Sequence, residues 1–245
     1  VAAAGRGDRA AGRCAHFQVA ALHCSAQKGG YSFRRPRHTL KGKQDANAVA
    51  RGGLRLSLLK AQAIAGDIVL LFADESEALT HPYLARAWAK RGADLRVPAP
   101  GMSTKVAMIG AFDFSRRKLI VHTSCTKRST DFIAFLEKLD NLYGPKPGVG
   151  MKPVVIVLDN GPIHTSKATR KALAARDHWL RVEWLPKYAP ELNDIENVWA
   201  KLKALHLAHL TFDGRQTLDC AIHFAVEELN LRKSVIPLVK PRISA

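Results

Sequence analysis

The chain has 245 residues, 47% of them apolar, which is enough to bury the core of one domain plus an appendage. Lysine and arginine number 38 against 21 aspartates and glutamates, a formal charge of +17 that draws polyanions such as DNA or RNA, a merely basic surface being the plainer alternative. Cys14, Cys24, Cys125 and Cys220 lack CxxC spacing and exclude a zinc-finger framework, no apolar run reaches the roughly 18 residues of a membrane span, and the N-terminus lacks a signal-peptide core, so a reduced cytoplasmic, nucleoid-associated protein is expected.

Residues 1–30 are rich in alanine and glycine without a helical or strand period, and stay unassigned as a disordered or truncated region. Residues 31–43, YSFRRPRHTLKGK, set Arg34, Arg35, Arg37, Lys41 and Lys43 around Pro36. Proline disfavours helix there, so the segment reads as an extended basic linker, either a solvated tether or a strap along a phosphate backbone. Residues 45–65 are helix-compatible, although Gly52-Gly53 weakens the pattern. The run DIVLLFA (67–73) predicts a strand buried on both faces and ending at Asp74.

Two more strands are expected over 105–114 and 118–123, joined by a hairpin turn at Ser115-Arg116-Arg117. A helix follows over 130–142, capped by Ser129 or Thr130, and then a Gly/Pro loop to residue 152. Val154 to Leu158 is another buried strand, ending at Asp159 before the breaker Asn160-Gly161-Pro162. Thr165 or Ser166 caps a helix to about Arg176, and a strand covers 180–185. Leu192, Ile195, Trp199, Leu202 and Leu205 mark the buried stripe of the next helix, and 219–231 forms the last one before a tail at 233–245. Hairpin strands followed by βα alternation imply an α/β fold, a mixed sheet flanked by helices.

Two of these strands end in an aspartate, at the sheet edge where open α/β sheets place their chemistry. Glu196 lies about 60° from Trp199 on a helical wheel, at the margin of the buried stripe, and can face that edge. Three carboxylates converging without basic partners make sense around divalent cations, and hard oxygen donors favour Mg²⁺ or Mn²⁺. Each residue read alone has a plainer role. Asp159 can start an Asx turn, Asp74 can be an exposed strand end, and Glu196 can cap with Asn193. Glu191 competes with Glu196 but lies in a Pro-bounded loop. Asp113 and Asp131 fall at a turn and a helix start, and His164 reads as a loop or cap contact rather than a base.

The segments LDNGPIHTSKATRKAL (158–173) and WLPKYAPELNDIENVWAKLK (184–203) closely resemble bacterial insertion-sequence transposases of the mariner-like branch of the DDE superfamily. FADESEALTHPYLARAWAKRG (72–92) resembles the first catalytic segment of that family, and YSFRRPRHTL (31–40) its linker. The resemblance spans about residues 31–232 and implies a ribonuclease-H-like catalytic domain over 66–232, preceded by a linker and helix over 31–65. It implies two Mg²⁺ or Mn²⁺ ions held by Asp74, Asp159 and Glu196, with Asn160, Asn193 and Trp199 in support. It further implies cleavage and strand transfer on DNA, as transposon ends and target, with homodimerisation left open. The helix-turn-helix region usual before the linker is not recognisable in residues 1–30, so a catalytically idle DNA-binding remnant stays as the alternative to a working transposase. A nuclease acting on RNA hybrids is disfavoured by the NDIENVW context.

Overall fold

Five strands pair into one sheet of order β3-β2-β1-β4-β5. The structure, a computed structural model, describes residues 41–231 except 86, 100 and 149. Residues 1–30, Arg34, Arg35, Arg37 and the tail at 233–245 therefore lie outside the described residues. The strands are β1 (Val69–Leu79), β2 (Lys105–Asp113), β3 (Lys118–Ser124), β4 (Val154–Leu158) and β5 (Leu180–Trp184). The β1–β2 and β2–β3 pairs are antiparallel, while β1–β4 and β4–β5 are parallel, so the sheet is mixed as expected. The β2–β3 turn falls at residues 115–117, with Arg117 at φ 54°. Asp113 serves that turn: its Oδ1 accepts from Arg116 N at 2.9 Å, and Tyr143 donates to its Oδ2 at 2.8 Å.

The helices are α1 (Ala46–Ala65), α2 (Ser129–Tyr143), α3 (Pro162–Thr165), α4 (Lys167–Ala174), α5 (Ile195–His206) and α6 (Arg215–Leu231), with 3₁₀ turns at Lys41–Lys43 and Pro190–Leu192. Side chains alternate across β1. Leu70, Phe72 and Ala78 join a core with residues of α1, α5 and α6, including Leu56, Trp199 and Ile222. Val69, Leu71 and Ala73 join a second core on the other face, with Phe132, Phe135 and Leu139 of α2 and Leu173 of α4. Both faces are covered, which is why β4 reads VVIVL without a polar position.

Several sequence expectations shift. β1 does not end at Asp74 but continues to Leu79, because its pairing with β2 persists after its pairing with β4 has stopped. α1 runs unbroken through Gly52-Gly53, since Gly52 packs against the 186–190 loop: a Cβ there would lie 2.8 Å from Pro186 Cγ. Arg128, not Ser129 or Thr130, precedes α2, and its N–H donates to Asp131 Oδ2 at 2.8 Å, so Asp131 is a helix-start residue. Ser166 caps α4 by accepting from Thr169 N. Lys41 and Lys43 sit in a 3₁₀ turn rather than an extended stretch. Leu205 is 59% exposed, outside the buried stripe of α5, and α6 begins at Arg215 rather than 219.

Candidate active site

The parallel pairing of β1 with β4 runs as far as Phe72 opposite Val157. Two residues further along each chain stand Asp74 and Asp159, at matching depth where the two strands part. On its other side Asp74 pairs with Gly110 of β2. The indole of Trp199 packs onto that glycine, and a Cβ there would lie 2.7 Å from Trp199 Cη2. The missing side chain lets α5 settle onto the sheet at the level of Asp74. Glu196, one turn before Trp199, is then carried to the same edge. Asp74, Asp159 and Glu196 line one cavity of about 380 Å³, together with Asn160, Asn193 and the 185–190 loop.

Supporting contacts fix the frame around these carboxylates. Asn193 Nδ2 donates to the carbonyl of Ala73 at 3.1 Å, tying the entry of α5 to the residue before Asp74. Its Oδ1 meets no donor, so the Asn193 side chain does not cap Glu196. Asn160 Nδ2 donates to the carbonyl of Leu185 at 2.6 Å, holding the ends of β4 and β5 together. Lys60 of α1 pairs with buried Asp194 at 2.7 Å at the start of α5, and its ammonium lies 5.1 Å from the Phe72 ring. Glu191 does not line the cavity; it accepts from Gln44 Nε2 at 3.0 Å.

Asp159 Oδ1 accepts twice, from Gly161 N at 2.9 Å and from His164 Nδ1 at 2.7 Å. The Asx-turn contact and a place at the cavity thus coexist in one residue. His164 is 1% exposed, and its Nε2 lies 2.9 Å from Glu75 Oε1, close enough for an ion pair though not aligned as a hydrogen bond. The edge of its ring meets Phe132, with ring centroids 4.6 Å apart.

The electrostatics follow from this packing. Burial, then the charge of Glu196, with Glu75 and Asp159 adding, pushes the Asp74 carboxyl up from 3.8 to about 7. The hydrogen bond from His164 holds Asp159 below the usual carboxylate range. Burial alone would lower His164, but Asp159 and Glu75 outweigh it and raise the imidazole to about 9. Lys203 is lowered by burial, with Glu77, Glu196 and Asp74 pulling the other way, which places its ammonium within electrostatic reach of the cavity.

Among the described residues, no three His, Cys, Asp or Glu side chains are gathered tightly enough to grip an ion as they stand. The donor set nevertheless suits one. It is all oxygen, and the Asp74 carboxyl, raised by burial first and by the charge of Glu196 next, carries its negative charge at a cost that a divalent cation would offset. Sequence reasoning brought Asp74, Asp159, Glu196, Asn160 and Asn193 to one cavity, with Trp199 packed beside it. It missed Glu75, Lys60, Lys203 and Gly110, and read His164 as a loop or cap contact where the structure has it buried between Asp159 and Glu75. For Glu75 the signal was available in the strand period, which turns it to the face opposite Asp74, toward α2 and α3.

A five-stranded mixed sheet in this order, helices on both faces, and carboxylates at the parting of its two central parallel strands define a ribonuclease-H-like fold. The fold matches the catalytic domain of the Mos1 mariner transposase at TM-score 0.53 and 17% identity, over 82% of this chain and 95% of that one. A pre-cleavage Mos1 transpososome matches at TM-score 0.59 and 17% identity, over 88% and 69% of the respective chains. A Mos1 paired-end complex with Mn matches at TM-score 0.56 and 16% identity, over 87% and 68%. Residues 69–219 match the DDE superfamily endonuclease family, and the chain belongs to that family. A relative from Shigella sonnei, described as an insertion element IS630 uncharacterized 39 kDa protein, is 29% identical over 137 residues. The match covers 56% of this chain and 37% of that protein.

Proposed function

We propose that this chain is the catalytic domain of an insertion-sequence transposase, which cuts DNA and joins the freed 3′ end to target DNA with Mg²⁺ or Mn²⁺. The observation that carries this reading is the placement of Asp74 and Asp159 at matching depth on adjacent parallel strands, sharing one cavity with Glu196. The working unit is residues 66–232, with 31–65 as a basic lead-in that contacts DNA through Arg34, Arg35, Arg37, Lys41 and Lys43. The Mn-bound Mos1 complex supports a divalent ion. Asp74, Asp159 and Glu196 would hold two such ions, which supply activation of the attacking oxygen and stabilisation of the leaving one at phosphorus.

The chain's own groups prepare that chemistry. His164 and Gly161 N–H hold Asp159 ionised and oriented. Asn193 fixes the backbone beside Asp74, and Trp199 on Gly110 sets how far Glu196 reaches. In the first reaction water attacks a phosphodiester, the P–O3′ bond breaks and a 3′-hydroxyl is freed. In the second that hydroxyl attacks a target phosphodiester, with a new 3′-hydroxyl as leaving group. DNA ends and target DNA are the partners, and a second copy of the chain fits a reaction that must handle two ends. No helix among the described residues is long and apolar enough to cross a membrane, and the place of action we propose is the cytoplasm, at the nucleoid.

The test is Mg²⁺-dependent nicking of supercoiled plasmid by the parent and by Asp159→Asn. The substitution is nearly isosteric and removes one charge. It should abolish nicking while circular dichroism and melting stay those of a folded protein, and Asp74→Asn and Glu196→Gln should act alike. A folded Asp159→Asn variant that nicks as fast as the parent sinks the site assignment. A parent that binds DNA but never nicks it would make the chain an idle DNA-binding remnant.

A further inference from the structure

The buried imidazole between β1 and β4 is unexplained by cleavage chemistry as such. His164 is almost fully enclosed, yet it touches two carboxylates from two strands. Glu75 follows Asp74 in β1, and alternation turns it to the other face of the sheet. His164 lies on that face, its ring against Phe132. From there Nδ1 reaches Asp159 Oδ1, the same oxygen that takes the Gly161 N–H. A Cβ on Gly161 would lie 2.9 Å from that oxygen and would press it out of this position. Two donors on Oδ1 leave Oδ2 as the oxygen that takes neither.

Resting on the proposed function, we infer that His164 is a positioning residue. Anchored by Glu75 through Nε2, it clamps Asp159 Oδ1 so that Oδ2 is presented to the divalent ion in one fixed orientation. A carboxylate at a strand end otherwise turns freely about its terminal bond, and ordering it upon ion binding costs affinity. Groups that orient a metal ligand in this way are worth about 10–100-fold in affinity. The relay also links the two strands that supply Asp74 and Asp159, so their spacing is set by a side-chain bridge as well as by the sheet.

Two substitutions separate positioning from packing. Asparagine has its amide nitrogen the same number of bonds from Cα as His Nδ1, and can still donate to Asp159. Glutamine places its amide near the old Nε2, toward Glu75, and abandons Asp159. Mn²⁺ affinity is measured by electron paramagnetic resonance titration of the full chain, with melting temperature in parallel. His164→Asn should stay within about threefold of the parent, whereas His164→Gln and His164→Ala should weaken Mn²⁺ binding by about 10–100-fold. Glu75→Ala, which keeps the imidazole but frees its far end, should cost about tenfold, by the same orienting argument, and serves if a His164 variant does not fold. Parent-like binding by His164→Gln and Glu75→Ala overturns the inference, and so does an equal loss in Asn and Gln that tracks melting temperature. Asp159→Asn is titrated alongside. If it loses Mn²⁺ while His164→Gln keeps it, the relay alone is wrong. If Asp159→Asn also binds like the parent, the metal site and the relay are both overturned.

Discussion

Asp74 carries its charge at a cost to the fold. Its carboxyl is raised from 3.8 to about 7 by burial first and by Glu196 next. Between those two values the folded chain holds a proton that the unfolded chain has released, so this group lowers stability progressively as pH rises from about 4 to 7. The cost is fully present above that window. His164 has the opposite starting point: raised from 6.5 to about 9, it contributes stability that is complete below about 6.5 and lost as pH climbs through 9. Without divalent ions, Asp74→Asn should therefore stabilise the protein at pH 8. The neighbouring carboxylates share the penalty, so the gain is on the order of 2 kcal/mol, or about 4–8 °C in melting temperature for a unit of this size. Added Mg²⁺ should raise the melting temperature of the parent and leave that of Asp74→Asn nearly unmoved. Melts in EDTA and in Mg²⁺ at pH 5.5 and pH 8 check both statements, and an Asn variant less stable than the parent at pH 8 in EDTA would show Asp74 to be favourably paired.

At the scale of the element, the close approach of Trp199 to Gly110 limits how α5 can seat on the sheet. A methyl at position 110 would meet Trp199 Cη2 at 2.7 Å and the Ile120 carbonyl at 2.9 Å. Gly110→Ala should cost about 1–3 kcal/mol through overpacking and weaken Mn²⁺ binding as Glu196 is lifted away. In a Trp199→Leu background the same change should cost about 1 kcal/mol less, the size of coupling expected between residues in contact. Denaturant melts of the four proteins of this cycle give the coupling, and strict additivity would mean that the indole does not set the approach of α5. Much of the layout was legible beforehand, and for the same reason: buried strands on both faces leave uninterrupted apolar runs, so DIVLLFA and VVIVL announced β1 and β4 together with the aspartates beyond them. What could not be read was pairing. The extension of β1 past Asp74 depends on β2, whose residues from Lys105 to Ile109 pair with Leu79 back to Glu75. The continuity of α1 through Gly52-Gly53 depends on Pro186, far along the chain. His164 looked like a loop residue because its two acidic partners come from different strands, one of them on a face that local spacing does not connect to α3.

At the scale of the whole chain, charge is unevenly spread. Residues 1–40 hold seven basic side chains and one acidic, and residues 232–245 hold four basic and none acidic. Ten of the net +17 charges thus belong to the two ends of the chain rather than to the unit that carries the carboxylate cavity. An acidic cavity does not attract a polyanion by itself, so the force that brings DNA to Asp74, Asp159 and Glu196 has to come from elsewhere on the molecule. Arg34, Arg35 and Arg37 lie shortly before the start of α1, whose Lys60 anchors the entry of α5, and they form a dense basic cluster just ahead of the catalytic unit in sequence. Phosphate contacts carry no direct base information, so replacing all three by alanine should weaken binding alike on an insertion-sequence end and on a scrambled duplex of equal length. Each lost contact should flatten the dependence of log affinity on log salt by about 0.9. Fluorescence anisotropy from low to near-physiological salt, on both duplexes, measures this. A slope unchanged by the triple substitution would make the segment a passive tether, and a loss confined to the insertion-sequence end would mean that these arginines read bases.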